Sequence, residues 1–132
     1  MEVIDINAKE SFFKLKEIRN SNLIDVRTLL EWHSTGIPDL SSINKSVFLF
    51  EWEQNINQFF ISKFQEMLST NFERTSVLFF ICKSGIRSKF AAHLATISGY
   101  YYCYNISDGY YNTGTSNWKN LLPTKKLDIK HH

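Results

Sequence analysis

Cysteine is scarce in this chain: Cys82 and Cys103 are the two in 132 residues. Two such residues make no disulfide framework, and no Cys-x-x-Cys occurs, so a reducing cytoplasm is the expected setting. A dominant charge of either sign is also lacking. Fifteen basic residues face 13 acidic ones, for a formal net charge of +2, which gives no case for nucleic-acid binding. No apolar run approaches the roughly 20 residues of a membrane span. The stretch Met1 to Glu10 carries acidic side chains and no long apolar segment, so no signal peptide is read there. Metal-ligand spacings of His, Cys and carboxylates are missing, as are internal repeats and low-complexity linkers.

What is present is a core-forming composition, 43% hydrophobic and 15% aromatic, which places the chain among globular proteins. Its length suits one domain over residues 1–132. His131-His132 is consistent with the remnant of an engineered tag.

One string stands out: Cys82-Lys83-Ser84-Gly85-Ile86-Arg87-Ser88. Before it, Val77 to Ile81 has the length and residue types of a strand buried on both faces. After it, Phe90, Ala91, Leu94 and Ala95 recur at helical spacing. The string therefore reads as strand, tight loop, helix, with a thiol at the strand's carboxyl end, where open α/β sheets bind ligands. A thiol reacts as the thiolate, and a free Cys ionises at about pH 8.5. Helix N-terminal amides favour negative charge, and a loop curled around the sulfur aims more amides inward. Gly85 permits the turn. Lys83 and Arg87 add cations, and Ser84 and Ser88 add hydroxyls. The expectation is a nucleophilic Cys82 in an anion cradle formed by Lys83 to Ser88. The plain alternative is a buried, inert Cys before a surface turn.

The wider pattern alternates strand and helix, which implies a parallel sheet with helices on both faces. Strands are expected at Val3 to Ile6, Leu23 to Val26, Val47 to Phe50, Val77 to Ile81 and Tyr102 to Ile106. Helices are expected at Ala8 to Asn20, capped by Asn7, at Thr28 to Ser34, at Gln58 to Ser69, and at Arg87 to Ser98, ended by Gly99. Phe12, Phe13 and Leu15 are core candidates. So is the stripe Phe60, Ile61, Phe64, Met67 and Leu68. Ala91, Ala92 and Ala95 let the post-loop helix approach the sheet closely.

The loop resembles that of the rhodanese-like sulfurtransferases, Cys-Arg/Lys-x-Gly-x-Arg/Thr, matched by Cys82, Lys83, Gly85 and Arg87. Asp25-Val26-Arg27 with Glu31-Trp32 is similar to the family's Asp-Val-Arg…Glu-Trp. Gly36-Ile37-Pro38 and Trp118…Leu122-Pro123 are similar to two further family segments. The resemblance spans about residues 2–124 and is nearest to single-domain bacterial members, through Pro38-Asp39-Leu40-Ser41 and Glu51-Trp52. Asp108-Gly109 replaces a Gly-Gly, and Tyr110 to Asn117 has no counterpart. The resemblance implies a rhodanese-like α/β fold with a central five-stranded parallel sheet. It also implies sulfur transfer through a Cys82 persulfide, from a small anionic thiosulfate-like donor to a thiol or protein acceptor, with neither metal nor organic cofactor. Cys-x4-Arg is one residue shorter than the loop of the cysteine phosphatases, which favours one extra sulfur over a phosphate. Two rivals stay open: a phosphatase or arsenate reductase, and a persulfide-carrying or redox-sensing module with little turnover.

Asp25 could orient the loop or pair with Arg27, and both are supporting candidates. Arg27 and Glu31, four apart, could pair on the short helix. Cys103 could resolve Cys82 as a disulfide, although a core role is commoner for such a residue. His93 reads as packing or surface, and the direction of His33 is open. Trp32, Trp52 and Trp118 could wall the pocket or fill the core. Part of the set Tyr100, Tyr101, Tyr102 and Tyr104 could form an exposed patch.

Overall fold

A computed structural model describes residues 2–127; the expected tag remnant at His131-His132 lies outside the described residues. The elements run β1 (Ile4–Ile6), α1 (Ala8–Glu17), β2 (Ser21–Asp25), α2 (Leu29–Thr35), β3 (Ile37–Pro38), a 3-10 turn (Ser41–Ile43) and β4 (Phe48–Leu49). Then come α3 (Gln58–Asn71), β5 (Val77–Ile81), α4 (Ile86–Ile97), β6 (Tyr102–Ile106), α5 (Trp118–Leu121) and β7 (Thr124–Lys125). Five strands form one sheet in the order β1-β6-β5-β2-β4, and every pairing is parallel. A parallel sheet must be covered on both faces. On β5, Leu78 and Phe80 join the layer of α3 and α4, while Phe79 and Ile81 join the layer with Leu15 and Trp118. This alternation is why Val77 to Ile81 reads as a continuous apolar run.

α1 starts as expected, with Asn7 accepting from the Glu10 amide at 2.7 Å. It stops at Glu17, not Asn20. The Lys45 ammonium donates to the Ile18 and Ser21 carbonyls at 2.9 and 2.8 Å, which satisfies the helix end and lets β2 begin at Ser21. Ala8, Ser11 and Leu15 face inward and Phe12 meets Trp118 edge-on. The same periodicity turns Phe13 out, 58% exposed, so Phe13 is not a core residue. α4 is rotated in a similar way. Its buried side chains are Ser88, Ala91, Ala92 and Ala95, while Phe90 is exposed and Leu94 half-buried. The three alanines pack against the sheet as expected. In α3 the stripe holds at Phe60, Phe64, Met67 and Leu68, with Ile61 half-buried.

Ile37-Pro38 pairs antiparallel with Thr124-Lys125 in a small second sheet, a long-range pairing that local pattern does not announce. All three Trp are buried. Trp118 donates to the Pro123 carbonyl at 2.9 Å, and Trp52 packs edge-on against Phe60 and Phe64. Among the tyrosines, Tyr100 is buried and Tyr104 stacks on Phe79. Tyr101 and Tyr102 remain exposed. No helix among the described residues is long and apolar enough to cross a membrane.

Candidate active site

β5 delivers Cys82 to the carboxyl end of the sheet, flanked by β2 and β6. The sulfur side chain is 1% exposed. Three groups converge on it: the Gly85 amide at 3.1 Å and the Ser88 amide at 3.3 Å, which donate, and the Ser88 hydroxyl at 3.2 Å, which can donate or accept. The geometry needs Gly85, which caps α4 at φ 97 and whose missing Cβ would stand 2.8 Å from the Ser107 carbonyl oxygen. Amides at a helix start aimed at one sulfur stabilise negative charge there.

A directed chain leads away from the sulfur. The Ser88 hydroxyl donates to Asn105 Oδ1 at 2.6 Å, and Asn105 Nδ2 donates to Asp5 at 2.9 Å. Asp5 fixes which way the Asn105 amide faces. With its proton committed to Asn105, Ser88 accepts from the thiol. When the sulfur becomes anionic, that hydroxyl can swing to donate instead. Neither Asn105 nor Asp5 was legible as part of the site, because Asp5 and Asn105 are 100 residues apart.

Of the expected cation pairings, Asp25 with Arg27 forms and Arg27 with Glu31 does not. Thr28 is the N-cap of α2, so Arg27 precedes the helix, and the carboxylate beside it is Asp25. Arg27 and Asp25 are 1% and 0% exposed and joined at 2.7 Å. The guanidinium also donates to Thr35 Oγ1 and the Gly36 carbonyl, at 3.0 and 2.9 Å, and lies 3.8 Å over the Tyr110 ring. These bonds tie β2 to the end of α2.

Glu31 instead grips Arg87 through both oxygens, at 2.7 and 2.8 Å, and closes a capping box with Thr28. Burial opposes its charge, yet the Arg87 fork and the Thr28 amide and hydroxyl outweigh burial and hold Glu31 down at about 2. The same hydrogen bond pushes Arg87 upward. Of the loop's two cations, Lys83 alone has no ion pair within reach among the described residues. Lys83, Ser84 and Ile86 are exposed.

The segment without a counterpart in the sequence comparison turns out to frame the loop. The Tyr110 amide donates to the Cys82 carbonyl at 2.8 Å and the Tyr111 amide to the Lys83 carbonyl at 3.2 Å. A Cβ at Gly109, whose φ is 73, would sit 2.1 Å from the Lys83 carbonyl oxygen, so only glycine fits. Asp108 caps the start of α1 through the Ala8 amide at 2.9 Å. A recess of about 250 Å³ opens beside Lys83, walled by Arg27, Leu30, Glu31, Thr35 and Tyr111. A second cleft, about 540 Å³, lies across Glu31 and Arg87 and includes Trp52. A cleft of about 910 Å³ at Arg74, Tyr100 and Tyr101 sits at the other end of the sheet, far from this chemistry.

Cys103 does not join the site. It pairs in register with Leu78, four positions before Cys82 on the adjoining strand. That is about 13 Å along the sheet, beyond the roughly 7 Å that a disulfide spans. Burial pushes its thiol up to about 11. His93 is exposed on α4, and His33 is exposed on α2.

Comparison with solved structures fits this geometry. The crystal structure of Rv0390 from M. tuberculosis superposes with a TM-score of 0.81 at 29% identity, covering 96% of this chain and all (100%) of that one. The polysulfide-sulfur transferase homodimer from Wolinella succinogenes shares the fold, with a TM-score of 0.67 at 20% identity over 98% of this chain and 83% of that one. The protein therefore has a rhodanese-like α/β fold, as the sequence resemblance implies.

Its family is narrower. The family model described as STR4 middle domain matches residues 4–126, and the chain belongs to that family. Relatives include the uncharacterized protein RC0915 of Rickettsia conorii and a protein in the dnaA 5' region of Rickettsia montanensis. Each is 39% identical over 125 residues, covering 93% of this chain and 98% of the relative.

Proposed function

We propose that the protein is a sulfurtransferase that carries sulfane sulfur on Cys82. The observation that carries this reading is the convergence of two amides and one hydroxyl on a single sulfur, at 3.1, 3.3 and 3.2 Å. In the proposed first step the Cys82 thiolate attacks the outer sulfur of a thiosulfate-like donor. The donor's S–S bond breaks, its electron pair leaves with sulfite, and Cys82 keeps one sulfur as a persulfide. This is covalent nucleophilic catalysis, with the cradle stabilising charge on the sulfur. Gly85 and Ser88 supply the donors, Lys83 attracts the donor's anionic end, and Ser84 and Ile86 complete the loop. Asp25 and Arg27 are supporting residues that hold β2 and α2 in place.

The site's pairing supports sulfur transfer over phosphoryl transfer. Arg87, the cation a phosphate would require, is spent on Glu31. The test is intact-mass measurement after incubation of the reduced protein with thiosulfate, beside Cys82→Ser. A gain of one sulfur, absent from the variant and removed by cyanide, is expected. Turnover of a phosphate ester without sulfur uptake overturns the reading.

A further inference from the structure

The chain is nearly neutral, at +2, yet its charge is unevenly spread near Cys82. A cleft of about 460 Å³ is lined by His33, Lys119, Lys125 and Lys126, and no carboxylate among the described residues lines it. Asp39 is the nearby acid, acting on Lys125 from outside that lining. This cleft and the 250 Å³ recess beside Lys83 share Ser34 and Thr35 as lining residues, so the two adjoin. Lys119 is positioned, not free: its ammonium donates to the Thr35 carbonyl at 3.0 Å and lies 5.9 Å from the Tyr111 ring. Along this path Arg27 and Glu31 are neutralised by Asp25 and Arg87. What remains is a run of lysines, Lys83, Lys119, Lys125 and Lys126, leading to the loop.

Apolar groups interrupt that run. Leu30 is 75% exposed and Tyr111 49% exposed, and both wall the recess. A bare anion site would have no use for Leu30. Exposed apolar and aromatic side chains beside lysines match a peptide that carries both acidic and apolar residues. Cys82 directly precedes Lys83 in the chain and is 1% exposed, so an acceptor must reach its sulfur with a thin group, such as a cysteine side chain on an extended segment.

From this we infer that the lysine-lined cleft docks an acidic segment of a partner protein that bears the acceptor thiol. The inference rests on the sulfurtransferase reading and names its acceptor class. In the step implied, the partner thiolate attacks the outer sulfur of the Cys82 persulfide. A new S–S bond forms on the partner, the bond to Cys82 breaks, and Cys82 leaves as thiolate with the electron pair.

The test uses the full chain and a labelled peptide of about ten residues, with one central Cys flanked by Asp, Glu and Leu. A twin peptide carries Lys in place of each acid. Binding is read by anisotropy with Cys→Ser versions, which needs no sulfur chemistry. Transfer is read by mass on persulfide-loaded protein. At low ionic strength the acidic peptide is expected to bind and to accept sulfur roughly 10-fold better, and the preference collapses in about 0.5 M salt. Lys119→Glu with Lys125→Glu and Lys126→Glu reverses the preference and leaves thiosulfate uptake intact; Lys125→Glu alone weakens it. Equal behaviour of the two peptides overturns the inference, as does a triple variant with unchanged preference. Glutathione accepting sulfur as fast as the acidic peptide also overturns it, in favour of a small anionic thiol. Charge-selective binding without sulfur uptake on Cys82 keeps the docking cleft and removes the sulfurtransferase reading instead.

Discussion

The two cysteines occupy neighbouring strands and opposite chemical settings. Cys82 lies past the end of β5, where the backbone turns and amides point inward. Cys103 lies inside β6, where ladder bonding uses the amides and its thiol donates to the Tyr100 carbonyl at 3.7 Å. Both are buried. Burial therefore does not distinguish the two thiols in this fold; the direction of the surrounding N–H groups does. Four positions along a strand change the setting of a sulfur from donors to hydrocarbon.

The sharpest way to break this contrast is alkylation. Iodoacetamide at pH 7.5 should modify Cys82 at least about 100-fold faster than Cys103, read by peptide mapping. Equal labelling would erase the distinction. The sign for Cys103 follows from its upward shift from 9.0 to about 11. Its contribution to stability is complete below pH 9 and is lost as pH rises toward 11, because only the unfolded chain then releases the proton. Cys103→Ala should flatten stability over that window in urea titrations.

Next in size is the buried pair behind the loop. Asp25→Ala strands the Arg27 guanidinium and should cost about 3–5 kcal/mol, measured by denaturant midpoint. A smaller effect is expected at Glu31, which is lowered from 4.5 to about 2. Its stabilisation is present above pH 4.5 and fades as pH falls toward 2; Glu31→Gln should remove that acid limb of the stability profile. The smallest concerns Asn105. Asn105→Ala frees the Ser88 hydroxyl to donate to the sulfur. Cys82 alkylation at pH 7 should rise a few-fold, about one hydrogen bond's worth. A slower rate would show that Asn105 chiefly positions Ser88.

The sequence displayed what is local. Val77 to Ile81 and Tyr102 to Ile106 are strands with the expected bounds, the first because an apolar strand buried on both faces carries a dense signal. The loop residues Cys82 to Ser88 sit together for the same reason. What stayed hidden depends on distant partners. Glu31 and Arg87 are 56 residues apart, so the nearer Arg27 drew the expectation. Tyr110 offered no motif, yet the backbone after β6 wraps the loop and its ring underlies Arg27. Gly109 was visible as a glycine; the Lys83 carbonyl that demands it was not.

The strand order has a kinetic consequence. β1 sits at the sheet edge against β6, with Ile4 opposite Tyr104. β1 therefore has no ladder partner in this sheet until β6 has been synthesised. Contacts of such long sequence separation slow folding, and an unpaired edge is a hazard while it waits. Asp5 travels with that strand and meets Asn105 only when it docks. Maturation of the thiol's surroundings is thereby tied to the pairing of β1 with β6, so a nascent or truncated chain lacking β6 holds Cys82 without its hydrogen-bond relay.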